Sequence, residues 1–122
     1  DTWIRPVADD PTRFADAVDR ARAYLAAGAD CIYPIGLGDA AVLAAFVREL
    51  DAPVNVGAKP GMPGLDELAR IGVARVSMAT RLATIALAAA DAAAQAVLSS
   101  GSFEGLESSL GHADAQRLFA AG

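Results

Sequence analysis

Three short apolar runs, each closed by glycine or proline and each followed by an amphipathic segment, predict an α/β fold of parallel strands alternating with helices. Their spacing is roughly 20 residues, the length of a βα unit whose crossover returns the chain parallel to itself. Two architectures use such units, the doubly wound sheet and the (βα)8 TIM-type barrel. A doubly wound sheet would carry a glycine fingerprint after its first strand, but "PIGLGD" offers G-x-G without the third glycine and without the acidic residue further on. The barrel is therefore favoured. A whole barrel needs about 250 residues and eight strands, so these 122 residues read as a single partial domain, residues 1–122, the C-terminal half of a barrel.

Each element has a local reason. Asp10 before Pro11 marks a helix start, with a cap oxygen followed by the fixed proline angle at the first helical position. Phe14, Ala17, Val18, Ala21, Tyr24 and Leu25 then recur at helical spacing, and Gly28 ends the helix. Cys31, Ile32 and Tyr33 form a continuous apolar run, the pattern of a strand covered on both faces. Gly36, Gly38 and Asp39 make a loop and a cap, and Val42, Leu43, Ala45, Phe46 and Leu50 a second helix that Pro53 closes. The cycle recurs with a strand at Val54 to Val56, the loop "GAKPGMPG", and a short helix on Leu65, Leu68 and Ala69 ended by Gly72. A third strand, Val73 to Met78, runs almost directly into a long Ala-rich helix from about Thr80. Short helical patches are expected at Leu106 to Leu110 and at Ala113 to Phe119.

Composition narrows the function classes. With 54% hydrophobic and 20% charged residues the chain can bury a core. A net charge of −5, a pI near 4.6 and no basic run leave no electrostatic footprint for nucleic acid. Cys31 is the sole cysteine, which excludes an internal disulfide or a cysteine-based metal site. No basic region followed by an apolar stretch opens the chain, so a reduced, cytoplasmic setting is expected. The apolar segment Leu82 to Leu98 is mostly alanine and carries Asp91 near its centre. A central aspartate costs roughly 2.5–3.5 kcal/mol on insertion scales, so a packed soluble helix is expected rather than a membrane span.

In a barrel the chemistry lies at the carboxyl ends of the strands, here residues 34–38, 57–64 and 77–81. Lys59 is the only lysine; it reads as a solvated loop residue, a phosphate contact, or a Schiff-base amine if desolvated. The amides of "GAKPGMPG" suit an anion, although the same glycines and prolines are ordinary turn formers. His112 reads as a surface or capping residue, and Cys31 as core rather than nucleophile. Asp9, Asp10, Asp16 and Asp19 suit a helix start or its polar face. No catalytic acid–base pair, triad or metal-ligand spacing emerges.

The stretches "DAVDRARAYLAAGADCIYP", "PVNVGAKPGMPGLDELARIGVARVSMATRL" and "GSFEGLESSLGHADAQRLF" resemble the C-terminal half of the isocitrate lyase/phosphoenolpyruvate mutase superfamily. Asp1 fits as the third residue of that family's Arg-Thr-Asp strand. The resemblance implies a Mg²⁺-dependent barrel enzyme, a lyase or phosphonomutase that cleaves or rearranges C–C or P–C bonds in small 2-oxo or 2-hydroxy acids. Metal and arginine would stabilise an enolate-like oxyanion. The metal acids, the gating loop and the arginine fall in the half absent from these residues, so the chain is expected to be inactive alone. Carried over, the substrate-binding positions are Ile35, Gly36, Asn55, Gly57 and Ser77. Ile35 stands where methylisocitrate lyases carry glutamate, which argues against a dedicated enzyme of that kind. The helix from Thr80 resembles an element exchanged between subunits, implying a homo-oligomer. The other readings are a Schiff-base aldolase using Lys59 and a half-barrel that serves assembly.

Overall fold

A computed structural model describes residues 2–4, 10–107 and 110–120. Asp1 and Asp9 therefore lie outside the described residues. The chain divides into two compact units, Asp1–Ala79 and Thr80–Gly122.

The first unit holds α1 (Arg13–Ala26), α2 (Ala40–Glu49), β1 (Asn55–Gly57), α3 (Leu65–Ile71) and β2 (Arg75–Ser77). β1 and β2 are parallel, with Asn55 beside Arg75, Val56 beside Val76 and Gly57 beside Ser77. The expected first strand is reduced to one parallel bridge, Ile32 to Val54, with Ile32 N–H donating to Pro53 O and Asn55 N–H to Ile32 O, both at 2.9 Å. The three runs thus neighbour one another in chain order, as consecutive βα units do.

One face of these strands is covered. Val54, Val56 and Ile32 pack with Leu43, Phe46 and Leu50 of the α2 region, Ala17, Val18 and Ala21 of α1, and Leu68 of α3. α2 contacts both α1 and α3. Phe46 is the largest fully buried side chain, and Trp3 and Phe14 meet its ring edge-on at centroid distances of 5.7 and 6.3 Å. Cys31 departs from expectation: it is exposed. Alternation along a strand places Cys31 and Tyr33 opposite Ile32, on the face the helices do not cover. A continuous apolar run cannot reveal which of its faces this chain covers.

Helix ends follow local chemistry. α1 begins later than the Asp10–Pro11 signal suggests, because Asp10 forms a turn of its own, Oδ1 accepting from Thr12 N–H at 2.9 Å and Thr12 Oγ1 at 2.7 Å. Those bonds hold the Asp10 carboxyl below its ordinary range. Gly28, at φ 99°, closes α1 in a Schellman motif, with Ala29 N–H on Tyr24 O and Gly28 N–H on Leu25 O, both at 3.0 Å. Asp39 caps α2 as expected, its Oδ1 accepting from Val42 N–H at 2.9 Å. Asp16 pairs with Arg20 one turn on along α1, which raises the Arg20 pKa.

The second unit contains α4 (Arg81–Ser100), a 3-10 turn at Glu104–Leu106 and α5 (His112–Ala120). That turn overlaps the patch expected at Leu106 to Leu110 only at Leu106, and residues 108–109 of the patch lie outside the described residues. His112 is exposed at the start of α5, where Asp114 Oδ2 reaches back to Gly111 N–H at 3.1 Å. α4 was expected to be packed, yet none of its residues is buried, and Leu82, Ile85, Leu87 and Leu98 are exposed. Its 20 residues, with an 18-residue stretch of mean hydropathy 1.5, make it long and apolar enough to cross a membrane by length and composition alone. Asp91 and Gln95 interrupt that run.

Phe46→Ala is expected to cost about 3–5 kcal/mol through loss of buried contact and the cavity left behind. Phe119→Ala, at a side chain 86% exposed, is expected to leave stability nearly unchanged. Urea unfolding of the two variants checks the contrast.

Candidate strand-end site

β1 and β2 end beside each other at Gly57 and Ser77, and the pairing extends one step further through Ala58 N–H on Ser77 O at 2.8 Å. Because side chains alternate, Asn55, Gly57 and Ser77 share the face opposite the apolar core. Asn55 is the one polar residue of the described chain classed as buried, at 4% exposure, and its Oδ1 accepts from Ser77 Oγ at 2.9 Å. The structure thus brings together three of the five positions carried over from the family resemblance.

Tyr33 completes this face, although its place in a continuous apolar run reads as strand core. A Cβ at Gly57 would lie 2.6 Å from the Tyr33 hydroxyl oxygen, so the phenol rests where a side chain would otherwise stand. Only the pairing of Ile32 with Val54 reveals that Tyr33 points to the site side.

Two tight turns frame the strand ends. Pro34 to Leu37 forms one, with Leu37 N–H on Pro34 O at 3.1 Å and Gly36 at φ 93°. Lys59 to Met62 forms the other, with Met62 N–H on Lys59 O at 3.3 Å and Gly61 at φ 82°. In each, glycine occupies the third position, where a type II turn requires positive φ; in the second, Pro60 precedes it. Lys59 Nζ joins them by donating to Gly36 O at 2.7 Å. Gly36 is thus tied to the second turn through its carbonyl, and Ile35 lies in the first turn with an exposed side chain.

A cavity of about 210 Å³ adjoins this region. It lies between α1, at Ala17, Ala21 and Tyr24, and the 31–35 segment, and it includes Ile35 but none of Gly36, Asn55, Gly57 or Ser77. Among the described residues Ile32 is bridged on one side only, to Val54, so the cavity runs beside the other edge of that segment. A metal fits poorly here. Among the described residues no group of three or more His, Cys, Asp or Glu is placed to hold one, and Asn55, Ser77 and Tyr33 are neutral donors and acceptors.

Residues 1–98 match the family model for phosphoenolpyruvate phosphomutase. Two uncharacterized proteins of Mycobacterium tuberculosis, from strains CDC 1551 / Oshkosh and ATCC 25618 / H37Rv, are each 36% identical over 95 residues. The match covers 78% of this chain and 35% of each relative, so the chain spans about a third of their length. Among solved structures, a Burkholderia cenocepacia J2315 protein provisionally described as a lyase/mutase superimposes with a TM-score of 0.83 at 37% identity, over 98% of this chain and 43% of its own. A protein of the same organism provisionally described as a phosphonomutase gives 0.69 at 32% identity, over 84% and 40%.

Ser77→Ala removes the hydroxyl donor and leaves Asn55 Oδ1 without it, at an expected cost of about 1–3 kcal/mol. Replacing both partners, with Asn55→Leu and Ser77→Ala together, is expected to recover most of that stability, read as the midpoint of urea unfolding.

Proposed function

Because this chain belongs to the phosphoenolpyruvate phosphomutase family, within the isocitrate lyase/phosphoenolpyruvate mutase superfamily, we propose that it forms the C-terminal part of a (βα)8 barrel enzyme. The enzyme acts on C–C or P–C bonds of small 2-oxo or 2-hydroxy acids. In this reading the chain supplies one wall of the substrate site and does not turn over substrate alone. The observation that carries it is the part-buried Asn55–Ser77 hydrogen bond at the carboxyl ends of adjacent parallel strands. Active-site groups of barrels occupy that end, and an ordered polar pair there offers both a donor and an acceptor to a carboxylate or hydroxyl. Among the described residues Ile32 is bridged to Val54 alone, which also supports the barrel, since a preceding strand would run along the cavity beside it.

The Mg²⁺ of the family finds no ligand cluster among the described residues, so no step of this reading passes through it. What the chain's own residues do is bind and orient. Asn55 and Ser77 hold a polar group of the substrate, and the Tyr33 phenol, which takes the space over Gly57, borders the opening. A Schiff-base role for Lys59 gains no support, because the residue is exposed rather than desolvated in an apolar pocket.

The chain with added Mg²⁺ is expected to show no turnover of oxaloacetate, phosphonopyruvate or methylisocitrate, while binding oxalate saturably in calorimetry. Turnover by the chain alone would overturn the assignment of chemistry to residues outside it. Absence of saturable binding would remove the substrate wall.

Association is the second part of the proposal. The apolar surface of α4, with Leu82, Ile85 and Leu87 exposed, suits burial against a second copy. Sedimentation is expected to give dimers or larger species, and Leu87→Glu is expected to shift them toward monomer.

A further inference from the structure

Lys59 is held more closely than a solvated loop lysine needs to be. It occupies the first position of the Pro60–Gly61 turn directly after β1, so its backbone is fixed by the strand on one side and the turn on the other. Its side chain crosses to the neighbouring turn, where Nζ meets Gly36 O at 2.7 Å. On the way it lies over Gly38: a Cβ there would stand 2.6 Å from Lys59 Cε and 3.1 Å from Nζ. Gly38 is not among the glycines with positive φ, so the space taken by Lys59, and not the backbone angle, is what a side chain at this position would violate.

Charge gives this placement a purpose. A 2-oxo acid or a phosphonate is anionic at neutral pH, and a chain of net charge −5 repels it unless a cation stands at the site. In the first unit Arg20 and Arg22 face Asp16 and Glu49, and Arg75 lies within β2, beside Asn55, rather than in a loop beyond the strand ends. Arg48 and Arg70 lie in the last turns of helices. Lys59 alone among the described cations of this unit is carried by a strand-end loop, and its recorded partner is a neutral carbonyl. An ammonium has three donors. One holds Gly36 O, and the others remain for a ligand.

We infer that Lys59 is the residue that grips the anionic group of the substrate, a carboxylate or phosphonate, and that the Gly36 carbonyl and the Gly38 surface hold its ammonium ready for it. This inference rests on the reading of the strand ends as a substrate site. No bond is made or broken in this step. The gain is a charge-assisted hydrogen bond formed by a side chain whose position is set before the ligand arrives.

Because Lys59 is the sole lysine, ¹³C-lysine labelling of the chain yields one Cε resonance that reports on it directly. Titration with oxalate or methylphosphonate is expected to move that resonance saturably, and chloride at the same ionic strength is not. Lys59→Met is expected to weaken oxalate binding about tenfold or more, the cost of one charged hydrogen bond, and Lys59→Arg to restore part of it. Gly38→Ala, which pushes the lysine off its surface, is expected to weaken binding while leaving the charge in place. If oxalate shifts the amide signals of Asn55 and Ser77 but the Lys59 resonance stays still, the lysine has no part in binding and the substrate wall survives. If Lys59→Met lowers the thermal midpoint but leaves oxalate affinity unchanged, Lys59 is a structural tie only. If no signal moves with either anion, the inference and the site reading fall together.

Discussion

Burial of Val54 and Val56 against Leu43 and Phe46 is the contact on which the first unit depends. Three very short parallel segments cannot hold themselves together by backbone bonds alone, and the apolar face they share must be covered. α2 provides the cover and touches α1 and α3 on either side, so the helices are ordered by the same surface that orders the strands. Trp3 and Phe14 extend the layer by meeting Phe46 edge-on, the arrangement that aromatic quadrupoles favour.

Once one face is committed to the core, the other is left for polar work. Strand alternation turns Asn55, Gly57 and Ser77 away from the helices, and the register of β1 with β2 brings Ser77 close enough to bond Asn55. Glycine at 57 and 38 has a steric use, admitting the Tyr33 hydroxyl in one case and the Lys59 stem in the other. Glycine at 36 and 61 has a conformational use, turning the chain so that the two loops meet through Lys59. The candidate site is therefore framed by two hydrogen-bonded turns and floored by a polar pair.

The second unit obeys a different balance. α4 is built mostly from alanine, which forms helix readily but offers little surface for a packed core. Its larger side chains, Leu82, Ile85, Leu87 and Leu98, remain exposed, and α5 leaves Leu118 and Phe119 exposed as well. Local chemistry still sets the boundaries, through Gly101 at φ 69° after α4 and the Asp114 carboxylate at the start of α5.

The amino-acid order by itself determined what depends on near neighbours: the alternation of apolar runs with helices, the Asp39 cap, the Gly28 and Gly72 helix ends, and the Pro60–Gly61 turn. It also carried the family, because the order of the blocks survives without any contact being known. Tertiary structure alone decided which face of each strand is covered. Cys31 and Tyr33 sit in a run that reads as buried on both sides, yet their exposure depends on what packs against that face, and Ile32 took the helix side. The same holds for Asn55 with Ser77 and for Lys59 with Gly36, pairs 22 and 23 residues apart that no local pattern links. Their meeting follows from strand register and loop crossing, which exist only after the apolar face has been buried.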